Sequence, residues 1–315
     1  MSHLFSGFRW LCRPGSCGTV LGAGLSRGLL GLAIGGCNLI NPDEQVPAYV
    51  RIESFAYIPG VAGGPDTYDI ASAFVFADNQ LLGVFDLPAK VPVLREGPVK
   101  LKVEPAIYAD GQRGTRVVYP FYTSYSSTPV LTAGTALRLN PATSFTTSTT
   151  SSTIVVQTPF DVADDFTTVT GDRAFTLLSS ASYQQEAAVV DTFRTGVGRV
   201  QGVEGKTDVF FLESLWKGTL PQKGAAVYLE LDYRSTMPFQ VGVRYGLPNF
   251  PFTGEAADLT VFPKREWTKL YVNLTDEVSR VNNLAYHFQV FIKGYPTGKA
   301  KDFLAFDNVR LVRPK

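Results

Sequence analysis

From Tyr49 onward the apolar residues fall into short runs separated by turn residues, and this pattern leaves little room for long helices. Tyr49–Phe55 alternates apolar and polar residues, as a half-buried strand does. Gly60, Gly63, Gly64 and Pro65 mark a loop, and Ile70–Phe76 forms a second strand. Ala77-Asp78-Asn79-Gln80 turns that strand into Leu81–Phe85, because Asp and Asn tolerate the left-handed backbone a tight hairpin needs. Val91–Leu94, a turn at Arg95-Glu96-Gly97-Pro98, and the alternation Val99-Lys100-Leu101-Lys102-Val103 follow. After Ala109-Asp110-Gly111 comes Arg116–Tyr122. Short strands at this spacing imply antiparallel sheets packed as a sandwich. The 22 Phe, 14 Tyr, 29 Gly and 20 Pro support the same all-β reading.

Chain length adds a second constraint. Of 315 residues, 279 follow position 36, more than one apolar core usually serves. The expectation is two β-sandwich domains, at 48–145 and 159–315, joined by a linker at 146–158. Residues 143–153 read Thr-Ser-Phe-Thr-Thr-Ser-Thr-Thr-Ser-Ser-Thr and offer little to bury.

The N-terminus reads as an address. Arg9, Arg13 and Arg27 precede the apolar run Leu29–Ile34, which is too short to span a bilayer and ends in Ile34-Gly35-Gly36-Cys37. That ending resembles the lipobox of bacterial lipoprotein signal peptides. The resemblance implies that 1–36 is a signal peptide, Cys37 carries lipid, and 37–47 is a tether. Pro42 and Pro47 keep such a tether extended. The opening Asn-Leu-Ile-Asn-Pro-Asp-Glu-Gln-Val-Pro-Ala-Tyr after Cys37, continuing through Tyr49–Phe55, looks like the start of Bacteroidota-type surface lipoproteins, which implies an outer-membrane location and leaves the face open. Without its three N-terminal arginines a chain of net +1 becomes about −2. A near-neutral body with no basic tract speaks against nucleic acid as a partner. Cys12, Cys17 and Cys37 are the only cysteines, so a disulfide scaffold or a Cys-based zinc site in the body is excluded.

The stretch 78–97, DNQLLGVFDLPAKVPVLREG, resembles immunoglobulin-like or prealbumin-like extracellular modules. Nearby, Tyr119, Phe121, Tyr122 and Tyr125 form an aromatic group, read either as packing or as a contact patch.

The second half carries a separate series of phrases: Asp164-Asp165-Phe166, then Val227–Val243, then WTKLYVNL at 267–274, then Phe306–Val312. Together they resemble galactose-binding-like jelly rolls, the fold of many carbohydrate-binding modules. In WTKLYVNL, Trp267, Leu270, Val272 and Leu274 supply the core side, and Lys269, Tyr271 and Asn273 the other. In the last strand Phe306, Asn308, Arg310 and Val312 oppose Asp307, Val309 and Leu311. The resemblance implies a sugar stacked on a flat aromatic ring, for which Trp216, Tyr183, Tyr233, Tyr245 and Tyr295 are the candidates; Trp267 fits a core role better. It also implies a structural calcium near the chain ends, with Asp164, Asp165 and Asp307 as its carboxylates.

Catalytic signatures are missing. His287 is the one histidine after residue 36 and sits within a strand-like run. There is no G-x-S-x-G elbow, no H-E-x-x-H and no phosphate loop before a helix. Glu186, Asp191, Glu213, Glu230 and Asp232 could furnish a glycosidase pair, but nothing selects two of them. The leading expectation is a non-catalytic, lipid-anchored envelope protein that binds a glycan through its second domain. The alternatives are a structural accessory lipoprotein of an outer-membrane transport or secretion complex, and a glycoside hydrolase. The first should show aromatics converging with polar neighbours, the second a flatter apolar patch.

Overall fold

The computed structural model describes residues 44–58, 67–146, 155–160, 166–170, 175–178, 197–252 and 254–314. Segment 1–36, Cys37, Asp164, Asp165 and Tyr183 lie outside them. The fold is all-β, two β-sandwiches in series, with a single short helix among the described residues.

The first sandwich draws on β1 (Ala48–Ile52), β2 (Ala56–Ile58), β3 (Ser72–Ala77), β4 (Gln80–Asp86), β5 (Ala89–Val93), β6 (Gly97–Pro98), β7 (Leu101–Tyr108), β8 (Arg116–Val118), β9 (Tyr125–Ser127), β10 (Val130–Leu131), β11 (Ala136–Leu139) and β12 (Ala142–Ser144). One sheet runs β11-β1-β5. The other runs β4-β3-β7-β8, with β9 also on β7. Alternation sends Val50 and Ile52, Val91 and Val93, Val75, and Leu101 and Val103 into one core, each fully buried. The hairpin from β3 to β4 turns on Asp78 and Asn79, at φ 48° and 67°. Two consecutive positive φ values match the twist of the flanking strands.

The second sandwich follows with β13 (Val155–Phe160), β14 (Phe166–Thr170), β15 (Phe175–Leu178), β16 (Val197–Gln201), β17 (Phe210–Ser214), β18 (Tyr228–Ser235), β19 (Phe239–Gly246), β20 (Gly254–Val261), β21 (Thr268–Asn273), α1 (Thr275–Val281), β22 (His287–Gly294) and β23 (Phe303–Pro314). Sheet I runs β15-β16-β23-β18-β21, with β13 also paired to β23; sheet II runs β14-β17-β22-β19-β20. Leu229, Leu231 and Tyr233 of β18 meet Phe239, Val241 and Val243 of β19 and Val290 and Ile292 of β22 in the core between them.

The last strand departs from the expected alternation. Phe306, Val309 and Leu311 face the core, while Val312 belongs to a different cluster on the outer side. Asn308 sits at φ 50°, and the register with β18 slips between Glu230 and Asp232. The extra residue is a bulge, and it flips the side-chain parity after Asp307.

The two sandwiches belong to one compact unit, Pro47–Lys315, and the outer face of sheet I explains why. Tyr228, Tyr271 and Val312 from that face pack against Ile107, Tyr119, Phe121, Tyr122 and Phe145 of the first sandwich. Tyr119 lies 5.0 Å from Tyr228 and 5.1 Å from Tyr271, ring to ring. Such ring pairs add roughly 0.5–1.5 kcal/mol beyond the area they bury. The aromatic group near Tyr119 is therefore packing at a seam.

Polar groups lock the same seam. The Tyr119 hydroxyl donates to Glu230, which is 0% exposed, and Lys269 Nζ stands 3.2 Å from the other Glu230 oxygen. Asp110 N–H donates to the Tyr271 carbonyl (2.8 Å), and Asn273 N–H donates to Asp110 Oδ1 (3.0 Å). The Tyr271 hydroxyl accepts from Asp69 N–H at 3.0 Å. Burial, joined by the negative charge of Glu230, pushes the Tyr119 and Tyr271 hydroxyls well above the ordinary tyrosine value. They remain neutral donors and acceptors.

Candidate functional site

The other outer face of the second sandwich belongs to sheet II, and the sequence parity of three strands builds it. In β17, Phe210 and Leu212 fill the core, which leaves Phe211 and Glu213 outside. In β19, core-facing Val241 and Val243 leave Gln240 and Arg244 outside; in β22, core-facing Val290 and Ile292 leave Gln289, Phe291 and Lys293 outside. Registry then sets Glu213 beside Phe291, and sets both Phe211 and Gln240 beside Lys293.

Arg244 is the hub. Its guanidinium donates to Glu213 and to the Phe252 carbonyl, and it lies 5.2 Å from the Phe211 ring centre. The Phe211 ring stacks on Phe291 at 5.3 Å with 13° between planes. The guanidinium thus has a carboxylate, a carbonyl and a π face to hold it in place. Glu213 and Arg244 keep 14% and 23% of their side-chain exposure, so the pair is within reach of a ligand. Beyond the end of β22, the Tyr295 hydroxyl donates to Gln240, and Lys293 Nζ lies 5.7 Å from the Tyr295 ring. The Gln289 amide is turned inward to the Ser214 carbonyl at 2.5 Å.

Trp216 and Tyr245 both lie at the opposite end of sheet II, linked through Phe288. Gly218 bonds both ways with Phe288 (3.1 and 2.7 Å), and a Cβ on Gly218 would come within 2.6 Å of the Trp216 indole. The bare glycine lets the indole fold over its own loop. The Tyr245 ring lies 6.2 Å from Phe288 and stacks on Tyr286 at 5.6 Å. Both rings are half-buried against the core. Near these rings along the chain, Leu215, Leu247, Phe250 and Leu284 are 60%, 43%, 66% and 70% exposed.

The remaining candidates are scattered. Tyr295 lies at the far end of β22 from Tyr245, about 23 Å along the strand at 3.3 Å per residue. Tyr233 is 3% exposed, edge-on to Phe239 at 5.1 Å inside the core, with no ring face toward solvent. Asp307 is buried, and its Oδ1 accepts from Asn308 N–H at 2.7 Å. No group of three His, Cys, Asp or Glu side chains suited to a metal occurs among the described residues. Phe211, Arg244 and Phe291 were not among the sequence candidates. The parity of FFLES, FQVGVRY and HFQVFIKGY carried the signal for them: each places an aromatic or charged residue opposite a run of core aliphatics.

No protein-family profile matches the chain, and no curated protein matches it in sequence. Among solved structures it is similar to a family 29 carbohydrate-binding module from Piromyces equi (10% identity, covering 50% of this chain and 91% of that one, TM-score 0.32). It is also similar to a family 30 carbohydrate-binding module (15% identity, 51% and 99%, TM-score 0.35). A third likeness is to a carbohydrate-binding module of the β-sandwich superfamily (12% identity, 86% and 99%, TM-score 0.36).

Proposed function

We propose that the protein is a non-catalytic glycan-binding protein of the cell envelope, anchored through Cys37 and recognising its ligand on the outer face of sheet II. The carrying observation is the Arg244 guanidinium, fixed by Glu213, the Phe252 carbonyl and the Phe211 ring. Sugars offer hydroxyls that pair with such fixed charged groups and C–H faces that settle on aromatic rings. A preorganised donor set loses little freedom on binding. The test is a glycan array probed with the protein, with Arg244→Ala and with Trp216→Ala. Saturable binding that Arg244→Ala abolishes, with the far-UV spectrum retained, supports the reading and its site. Binding unchanged in Arg244→Ala contradicts the site.

A second reading has its own observation. Leu215, Leu247, Phe250 and Leu284, near Trp216, Tyr245 and Tyr286 along the chain, are exposed apolar residues, which suits a protein partner such as an envelope transport or secretion complex. A blank array from a folded protein, with association lost on Phe250→Asp, favours that reading over the glycan.

A further inference from the structure

A cavity of about 380 Å³ lies at the margin of the seam, where Thr67–Asp69 of the first sandwich closes over β18 and the start of β21. Its volume falls in the range of small-ligand sites. Trp267 and Tyr68 supply aromatic walls, Asp69 and Asp232 carboxylates, and Thr67 and Thr268 hydroxyls. Tyr68 is braced by Tyr57, ring centres 4.8 Å apart.

Two carboxylates and one ammonium line this cavity. Lys269 also lines it, but its ammonium is engaged by Glu230 at 3.2 Å and donates to Thr67 Oγ1 at 3.2 Å. Asp232 is 4% exposed, and both of its hydrogen bonds end on Oδ2, from Thr67 Oγ1 (2.5 Å) and Asn308 Nδ2 (2.8 Å). Its Oδ1 receives no hydrogen bond from the described residues. Among these residues no lysine or arginine forms a salt bridge with Asp69 or Asp232. Partial burial raises the Asp69 carboxyl above its ordinary value; Lys264 pulls it down and the charge of Asp232 pushes it up.

We propose that this cavity binds a small organic cation, a protonated amine on a compact ring or alkyl body. Its N–H groups meet Asp232 Oδ1 and the Asp69 carboxylate, and its body lies against the Trp267 indole. A carboxylate oxygen of a largely buried aspartate, open to the cavity beside an aromatic wall, favours a cation over a neutral isostere, because ion pairing and cation–π attraction act together in a partly desolvated site. This site is separate from the outer face of sheet II, and the proposal does not depend on glycan binding there.

Glucosamine and glucose make a matched pair, since one ammonium replaces one hydroxyl. The experiment titrates each into the ¹⁵N-labelled protein, following the Trp267 indole N–H, with affinities from calorimetry. The expected result is saturable glucosamine binding at least tenfold tighter than glucose, with the Trp267 resonance shifting. Asp69→Asn, which removes no hydrogen bond shown for the carboxylate, should weaken glucosamine about tenfold and leave the thermal midpoint unchanged. Asp232→Asn should do the same if it folds, and Asp69→Asn decides the matter if it does not. Equal affinities for the two probes, binding of neither, or glucosamine binding that leaves Trp267 unmoved and ignores Asp69→Asn would each overturn the proposal.

Discussion

The second sandwich carries one glutamate–base pair on each outer face, and their surroundings differ. Glu230–Lys269 on sheet I is sealed, with side-chain exposures of 0% and 3%, while Glu213–Arg244 on sheet II keeps 14% and 23%. The first pair lies under a docked sandwich and is completed by Tyr119; the second is completed by a carbonyl and a phenyl ring. A sealed pair has lost its water and depends on its partners. A partly wetted pair contributes less to stability and stays available to a ligand. One face of the jelly roll is covered by the first sandwich, and the proposed recognition site lies on the other.

The comparison can be broken most directly at Lys269. Lys269→Met strands Glu230 in the seam and should cost about 3–5 kcal/mol in urea unfolding, with Glu230→Leu in the same chain recovering most of it. A loss under about 1 kcal/mol would mean the seam is wetter than it looks. Tyr119→Phe should cost about 1–3 kcal/mol by the same measurement, because one Glu230 oxygen loses its donor while burial is kept. On the other face, Arg244→Ala should cost about 1 kcal/mol or less in stability and yet abolish glycan binding. The smallest effect concerns an exposed control pair, Arg116–Asp86, in the first sandwich. The paired hydrogen bonds that Arg116 Nε and Nη2 donate to the Asp86 carboxylate lower the Asp86 pKa to about 2. A carboxyl held below its unfolded value stabilises the fold above about pH 4 and loses that contribution as pH falls toward 2. Asp86→Asn should therefore flatten a small slope of the melting temperature between pH 4 and 2.

Why the two faces could not be told apart beforehand is visible in the residues. YLELDY and FFLES both alternate, and both put a glutamate opposite core aliphatics. Alternation reports which side chains leave the core; it does not report what covers them. Coverage came from Tyr119, Phe121 and Tyr122, about a hundred residues earlier, whose aromatic character was evident but whose partner was not. The bulge at Asn308 was equally hidden, since FDNVRLV alternates plausibly in either register until a positive φ shifts it. The all-β class, the Asp78-Asn79 hairpin and the core side Leu270, Val272 and Leu274 of WTKLYVNL were legible, because each follows from local pattern. Trp267 was misassigned to that side: it shares the parity of Lys269 and Tyr271 and lines the outer cavity with Asp232 instead of entering the core between the sheets. Trp216 and Tyr245 were legible as aromatics at strand ends. Arg244 was not, because its role depends on three strands lying side by side.

The most direct test of this division is amide hydrogen exchange in the protein with and without a neutral glycan that the array has identified. Bound glycan should slow exchange in Phe210–Ser214, Phe239–Gly246 and His287–Gly294, and leave Tyr228–Ser235 and Thr268–Asn273 unchanged. Slowing confined to the latter two strands would put recognition at the seam and contradict the assignment of the two faces.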